Sequence, residues 1–278
     1  MTFYHRAGKF LYRQVAPLYA VIFALQSSAQ IITLNDANTQ LQINPATKAG
    51  VFRWSVDGQD ILARQWFWLR VGTSGPERMI SDISAPTLLN LGAKSLDASY
   101  SNGSMAITAS FILNGQAPGS GISGMAELFH VVNLTTTPLD FHFFECTDLN
   151  LPGGNDQVRL AKNPFTDLYT IADQLGANGG FSEAVLTPGA NHAEAGLFPD
   201  TFSRLTDNLP TTLNDASASG PGDAMWAFEW DMTIPPGGSF DINTAMHVTT
   251  TVPEPGTGTF ILMGACAFVM FRRLKPAR

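Results

Sequence analysis

Strict alternation of apolar and polar residues is the feature that most constrains what this chain can fold into. Residues 104–113 show it most clearly, with apolar side chains at every second position: Met105, Ile107, Ala109, Phe111 and Leu113. A helix with 3.6 residues per turn would spread these side chains around its surface, whereas a strand collects them on one face. The stretch therefore predicts a β-strand with one buried face.

The same period of two recurs along the chain between turn signals. Residues 52–56 alternate into the turn Asp57-Gly58, and 61–71 then follow as the returning strand. Residues 226–232 alternate in the same way, and 240–248 run back after a turn rich in proline and glycine. Regular strands separated by Gly, Pro, Asn and Asp predict an all-β fold, a jelly-roll-like β-sandwich extending over residues 30–248.

The N-terminal residues have the three parts of a secretory signal. A basic stretch that ends at Arg13 precedes the apolar residues 15–25, and small residues follow up to Ala29. This order predicts a cleavable signal peptide over residues 1–29, removed by signal peptidase. An amphipathic N-terminal helix is the alternative interpretation.

The C-terminal residues have the pattern of a membrane anchor. Residues 256–271 carry no charge and would form a helix of about 24 Å, somewhat shorter than an ordinary span. Arg272 and Arg273 follow directly and open a basic tail over 272–278. Because cations flank the cytoplasmic ends of membrane spans, the pattern predicts a single transmembrane helix with a cytoplasmic tail. A buried core helix is the alternative.

A short Thr/Pro linker, residues 249–255, ends in Pro253-Glu254-Pro255 just before this helix. That motif, an apolar helix and a basic tail together resemble the PEP-CTERM sorting signal, a segment also labelled as an ice-binding protein C-terminal domain. The resemblance implies export, insertion in the inner membrane, and processing by exosortase at the three motif residues. It implies a protein anchored on the periplasmic side and then delivered to the cell surface or extracellular matrix.

Parts of the body also resemble a recurrent group of PEP-CTERM proteins, through stretches such as VDGQDILARQWFWLRVG and WAFEWDMTIPPGGSF. The similarity would cover most of residues 51–245. The group has no assigned activity, so the resemblance implies no functional residue within the sandwich.

The charge of the exported part limits its partners. Seven of the 16 basic residues and one of the 23 acidic residues lie in the terminal segments, which leaves 9 and 22 in residues 30–253, near −13. This sign argues against nucleic acid and against anionic membrane surfaces as partners. It suits a soluble extracellular domain.

The two cysteines cannot form a disulfide within the sandwich, because Cys266 lies in the apolar C-terminal run. The fold must therefore be stabilised by its apolar core. We expect Cys146 to be buried and inert, with an intermolecular bridge as the alternative.

Trp66, Trp68 and Arg70 are the candidate ligand-binding residues, because a strand would place all three on one face. Two indole rings form a platform on which a sugar ring stacks, and the guanidinium donates hydrogen bonds. The alternative is that a neighbouring segment covers both tryptophans.

A Ca²⁺ site is the one cofactor that the sequence suggests, and no other is expected. Asp148, Asn150 and Asp156 supply oxygen ligands around the tight loop Gly153-Gly154. The loop departs from the EF-hand pattern, and Asn and Asp also favour turns without any ion.

Other polar residues share strand faces in a way that catalysis requires: Asp140 with His142 and Cys146, His192 with Glu194, and Glu229 with Asp231. A carboxylate pair is what a glycosidase needs, and His with Asp or Cys suits a metal or a nucleophile. Each is also the ordinary pattern of a half-solvated strand.

The sequence thus favours an exported protein that is not an enzyme and has a structural or adhesive role in contact with exopolysaccharide. A lectin-like carbohydrate-binding module and a secreted carbohydrate-active enzyme are the alternatives. Catalytic carboxylates facing a groove would favour the enzyme, and an exposed pair of tryptophans would favour the lectin.

Overall fold

The computed structural model describes residues 30–89 and 91–251. The predicted signal peptide, the motif Pro253-Glu254-Pro255, the apolar segment 256–271 and the basic tail lie outside these residues. Within the described ranges, the structure contains no helix with the length and apolar character needed to cross a membrane.

The chain forms two antiparallel sheets, which confirms the predicted all-β sandwich. The first sheet contains, in spatial order, β1 (Ile32–Asp36), β2 (Thr39–Asn44), β3 (Gly50–Val56), β5 (Leu62–Val71), β11 (Leu139–Leu149), β17 (Ala224–Ile234) and β15 (His192–Leu197). Two short strands join it at its sides, β4 (Gln59–Asp60) on β3 and β6 (Arg78–Met79) on β5.

The second sheet contains, in spatial order, β16 (Ala218–Gly222), β12 (Asp156–Lys162), β13 (Tyr169–Gly176), β14 (Gly179–Thr187), β18 (Ser239–Thr250), β10 (Ile122–Asn133), β9 (Met105–Gly115), β8 (Ser95–Ser101) and β7 (Thr87–Leu88). Two short helices complete the described structure, a 3₁₀-helix at Ile80–Asp82 and α1 at Asp200–Arg204. Strand β18 continues to Thr250, two residues into the segment predicted as a linker.

The strand predicted from strict alternation is confirmed, since β9 buries every second side chain along most of its length. The two predicted hairpins form differently. The turn at Asp57-Gly58 leads into the short β4, and β3 pairs with β5 at a single position. The chain after β17 crosses to the second sheet instead of pairing back on the first.

Aromatic side chains from both sheets fill the core between them. The Phe129 ring from the second sheet lies 4.3 Å from Phe67 and 5.0 Å from Phe143 of the first sheet, measured between centroids. Burying such rings gives the largest apolar contribution to stability. Cys146 is also buried, as the sequence predicts, and carries no disulfide.

The outer face of the first sheet is crossed by residues 198–217, which we call the strap. It includes α1 and an extended stretch, and its side chains Leu205 and Leu213 are buried. Backbone N–H groups of the strap donate to carboxylates of the sheet, from Leu213 to Glu229 (2.7 Å) and from Asn214 to Glu194 (3.1 Å). The strap therefore covers a face that would otherwise be open.

Candidate functional site

The central strands of the first sheet bring four polar side chains together on its outer face. Antiparallel register sets His142 of β11 opposite Asp231 of β17, and Glu229 of β17 opposite His192 of β15. Since neighbouring residues on paired strands share a face, all four point away from the aromatic core. The three residues His142, Glu229 and Asp231 have ligand atoms within 4.8 Å of one another, and we call them the cluster.

The imidazole of His142 is held between carboxylates. Its Nδ1 is hydrogen-bonded to Oδ1 of Asp231 and lies 3.8 Å from Oε1 of Glu229. Its Nε2 lies 3.7 Å from Oδ1 of Asp140. The side chains of His142 and Asp231 are 13% and 31% exposed, and Nε2 of His142 is itself buried without a hydrogen-bond partner.

A second imidazole lies on the other side of Asp231. His192 has its Nε2 3.7 Å from Oδ2 of Asp231 and its Nδ1 3.1 Å from Oδ2 of Asp215 in the strap. Glu194, which the sequence pairs with His192, is used differently. It accepts a hydrogen bond from Thr201 (2.6 Å) and forms an ion pair with Arg204, and both of these residues belong to α1.

Glu229 holds a proton at neutral pH because of its surroundings. Its side chain is fully buried, and burial together with the charge of Asp231 raises its pKa to about 8. The Leu213 N–H and the charge of Arg70 oppose this shift but do not cancel it. One carboxyl oxygen, Oε1, has no hydrogen-bond partner. Glu229 is thus a carboxylic acid beside an imidazole and a carboxylate.

Arg70 is committed to a structural ion pair. Its Nη1 donates to Oε1 of Glu77 and to the carbonyl of Thr211, both at 2.5 Å. The N–H of Thr211 donates back to the same Glu77 oxygen at 2.8 Å. The buried pair therefore ties the strap to β5. Arg70 also lines a cleft at the end of β5, and its ligand-binding role stays a prediction.

Trp66 and Trp68 lie beneath neighbouring segments, with 0% and 2% exposure. Phe202 of α1 meets Trp68 edge to face, with centroids 5.8 Å apart. The chain at Gly50 approaches Trp66 so closely that a Cβ there would lie 2.4 Å from the ring. In this arrangement the two rings form no open platform, and their ligand-binding role stays a prediction.

The predicted calcium ligands have different surroundings. Asp148 is buried, and burial with the charges of Asp223 and Asp156 raises its pKa to about 7. Asp156 accepts a hydrogen bond from Gln174 at 2.9 Å, and Asn150 is exposed. Among the His, Cys, Asp and Glu side chains of residues 30–89 and 91–251, the one group of three close enough to share an ion is the cluster. The Ca²⁺ site stays a prediction.

The cluster itself has a donor set that a divalent transition metal accepts, one imidazole nitrogen and two carboxylate oxygens. A metal there would replace the hydrogen bond between His142 and Asp231, since both would give up the atoms that now make it.

A cleft of about 630 Å³ adjoins the cluster at the end of β5 and the start of β11. Asp140 lines the cleft and lies 3.7 Å from Nε2 of His142, whereas His142, Glu229 and Asp231 do not line it. Apolar atoms line more than half of the cleft, and hydroxyl and amide groups line much of the rest: Ser74, Asn102, Ser104, Thr135 and Thr137. The volume is that of ordinary small-molecule sites, and the lining suits a ligand rich in hydroxyl groups.

The sequence identified the members of the cluster, but as candidates on separate strands. It did not identify Asp215, the ion pair of Arg70 with Glu77, or the strap that covers Glu229. No local pattern marks these, because the strap makes its contacts through backbone groups and irregular chain.

No family model matches the chain, and no curated protein matches it. Solved structures share its fold. A bacterial glucoamylase complexed with acarbose is 10% identical with a TM-score of 0.57, over 86% of this chain and 35% of that chain. A GalM/aldose epimerase homologue from C. elegans is 8% identical with a TM-score of 0.50, over 81% of this chain and 100% of that chain. The chain spans about a third of the glucoamylase, and the likeness shows the fold.

The prediction that the protein is not an enzyme is contradicted by this comparison. The sandwich that the chain adopts is the fold of part of a glucoamylase and of an aldose epimerase homologue. No contiguous motif in the sequence points to this fold, because a fold alone does not require one.

Proposed function

We propose that this protein is an exported carbohydrate-active enzyme that performs proton transfer at the anomeric centre of a sugar. The observation that carries the proposal is the cluster, in which Glu229, a buried carboxyl with its pKa raised to about 8, lies beside a hydrogen-bonded pair of His142 and Asp231. A carboxyl that retains its proton next to an imidazole is the kind of arrangement that acid–base catalysis requires.

The spacing of the carboxylates favours anomeric interconversion over glycosidic hydrolysis. Glycosidases that retain configuration hold their two carboxyl groups about 5–5.5 Å apart, and inverting ones about 6.5–9.5 Å apart. Glu229 and Asp231 lie side by side on one face of one strand, with an oxygen of each within 4.8 Å of the other. They do not face each other across a groove, as carboxyls that flank a glycosidic bond do. They can instead work through His142 on one face of a sugar ring.

His142 and Glu229 have complementary roles in this reaction. With its Nδ1–H donating to Asp231, His142 has its free electron pair on Nε2, the nitrogen nearer the cleft residue Asp140. Nε2 is buried and has no hydrogen-bond partner in the free protein. In the proposed complex the anomeric hydroxyl reaches it, and Nε2 takes the hydroxyl proton as the bond between the anomeric carbon and the ring oxygen breaks. Glu229 is fully buried, so its proton reaches the ring oxygen by way of Asp231, which is 31% exposed and close enough to share a hydrogen bond with Glu229. The reverse transfers close the ring on either face.

The terminal segments give the enzyme its destination. The signal peptide 1–29 directs export, and Pro253-Glu254-Pro255 with Arg272 and Arg273 directs exosortase processing at the inner membrane. Exopolysaccharide at the cell surface is the carbohydrate that such an address brings within reach.

Carbohydrate binding without chemistry is the second candidate. The cleft of about 630 Å³, lined by both hydroxyl-bearing and apolar side chains, suits it, and the Leu213 N–H on Glu229 suits a carboxylate held for structure. In that case the cleft binds glycan and the cluster only supports the strap.

Anomer exchange in a panel of reducing sugars, measured by polarimetry or by NMR magnetisation transfer, tests the proposal. We expect the purified full chain to accelerate exchange, and Glu229→Gln and Asp231→Asn to reduce the rate by about a hundredfold or more. Asp241→Asn is the matched control, because it removes the carboxylate of an exposed His–Asp pair with His130 (2.6 Å) on the second sheet.

Absence of acceleration with every sugar would overturn the enzymatic proposal. Glycan binding that survives Glu229→Gln in the same preparations would then support the second candidate.

A further inference from the structure

Three glutamates lie inside the sandwich, between the two sheets and away from the cluster. Glu145 comes from β11 of the first sheet, and Glu127 and Glu183 come from β10 and β14 of the second. Their exposures are 0%, 2% and 0%, respectively. We call these three residues the glutamate layer.

Neutral donors connect the layer across the gap between the sheets. Gln65 of the first sheet donates from Nε2 to Oε1 of Glu145 (2.7 Å) and to Oε2 of Glu127 (3.5 Å). The indole N–H of Trp226, also from the first sheet, donates to Oε2 of Glu183 (3.2 Å). Thr244 on β18 donates to Oε2 of Glu127 (3.4 Å). The layer is therefore a polar bridge inside an aromatic core.

No positive charge balances the layer. In residues 30–89 and 91–251, no lysine, arginine or histidine forms an ion pair with any of the three glutamates. The groups that face them from β5, β17 and β18 are Gln65, Trp226 and Thr244, none of which titrates in the relevant range. Each buried ion without a partner would cost several kcal/mol, so three ionised carboxylates cannot remain there.

Bound protons can neutralise the three carboxylates and provide the hydrogen-bond donors that they lack. One oxygen of each carboxyl receives no hydrogen bond from an N–H or hydroxyl donor, namely Oε1 of Glu127, Oε2 of Glu145 and Oε1 of Glu183. A bound proton on each carboxyl removes its charge and provides a donor of the kind that these oxygens lack. Glu145 and Glu183 are close enough to share such a hydrogen bond.

A single metal ion fits the layer less well. The three glutamates are not among the groups in the described ranges whose ligand atoms all lie within 4.8 Å. One ion bound to all three would need its oxygens at about that spacing or closer, because metal–oxygen distances are about 2.0–2.6 Å.

We propose that the glutamate layer is a proton-operated lock between the two sheets. While the carboxyls carry protons they connect the sheets by hydrogen bonds, and when base removes the protons their negative charges repel one another and loosen the sandwich. Burial acts in the required direction, since it raises the pKa of Glu145 to about 7 and the pKa values of Glu127 and Glu183 well above their ordinary range. The lock does not depend on the activity proposed for the outer face.

The stability of the sandwich should fall as the pH rises. A carboxyl whose pKa is higher in the folded state binds more protons there than in the unfolded chain. Its stabilising contribution is complete below the unfolded pKa and is lost as the pH rises through the folded pKa. The sandwich is therefore most stable in mild acid, and its stability falls as the pH rises from the ordinary range of glutamate through about 7, the raised pKa of Glu145.

Urea unfolding of the full chain at several pH values, followed by tryptophan fluorescence, tests the lock. All five tryptophans belong to the sandwich: Trp54, Trp66, Trp68, Trp226 and Trp230. From about pH 5 to about pH 9 we expect the unfolding equilibrium constant of the natural chain to rise on the order of a hundredfold or more. Glu145→Gln, which keeps shape and a donor, should remove a large part of this rise, whereas Asp241→Asn at an exposed site should keep it.

Infrared spectroscopy of the natural chain gives a second measurement that needs no variant to fold. A carbonyl band of buried protonated carboxyl groups should be present at about pH 6 and disappear as the pH rises. Absence of that band, or the same pH dependence in Glu145→Gln as in the natural chain, would overturn the lock. A Ca²⁺-dependent rise in stability that Glu145→Gln abolishes would also overturn it, in favour of a cation.

Discussion

The backbone N–H of Leu213 donates to Oε2 of Glu229 at 2.7 Å, which joins the strap to the centre of the first sheet. This contact accounts for two properties of Glu229 at once. It orients the carboxyl so that Oε1 points to His142, 3.8 Å from Nδ1, and it helps exclude the water that would otherwise solvate the charge. An irregular segment thus sets the chemistry of a strand residue.

The first prediction concerns the pH dependence of the proposed activity. Because burial first, and the Asp231 charge in addition, raise the pKa of Glu229 to about 8, the acid form predominates below that pH. The rate of anomer exchange should therefore fall above about pH 8, by about tenfold per pH unit. A polarimetric rate–pH profile checks this, and a rate that continues to rise above pH 8 would exclude Glu229 as the acid.

The second prediction concerns the buried ion pair that fastens the strap. Arg70→Met leaves Glu77 charged and unpaired, with 8% exposure, and should lower the free energy of unfolding by about 3–5 kcal/mol. The double variant Arg70→Met with Glu77→Gln should recover at least half of that loss, because it removes the orphaned charge and keeps an acceptor for Thr211. Urea unfolding measures both, and equal losses in the single and double variants would refute the assignment.

The third prediction separates a steric contact from backbone strain at two turn glycines. Gly50 and Gly58 have φ values of +55° and +81°, but a Cβ on Gly50 would lie 2.4 Å from Trp66, whereas nothing lies within 4 Å at Gly58. Gly58→Ala should cost about 1 kcal/mol for the left-handed backbone, and Gly50→Ala about 3 kcal/mol with the added clash. Thermal unfolding checks the difference, and equal costs would mean that the chain near Trp66 can yield.

The fourth prediction tests the proposed address. Glu254→Gln keeps the size of the side chain, both flanking prolines and the extended backbone that proline favours in the preceding residue. A mere linker would tolerate the loss of one exposed charge. A processing enzyme that pairs with the carboxylate would not tolerate this loss, since its own donor is left without a partner.

We expect tail-bearing precursor to accumulate in the native host, as measured by mass spectrometry, while the sandwich stays folded. An unchanged ratio of tail-bearing to tail-free protein would reduce the motif to a spacer.

Much of the fold was predictable because strand formation has a local signal. The period of two in residues 104–113 requires one buried face whatever the partner strand is, and β9 buries that face. The pairing of strands was less predictable. Residues 226–232 and 240–248 alternate alike, yet they lie in different sheets, because a turn permits either a hairpin or a crossing between sheets.

The same division holds for the candidate site. The sequence by itself determined which side chains share a face on one strand, such as Glu229 with Asp231, because a strand repeats every two residues. Only the tertiary structure decided that His142, 89 residues from Asp231, would meet it, since that contact depends on the register of β11 against β17. It also decided that the strap would cover Trp68 and Glu229, and that Glu145 would face Glu127 and Glu183 across the core. These contacts join segments far apart in the chain, and their energies depend on burial, which no local pattern of residues records.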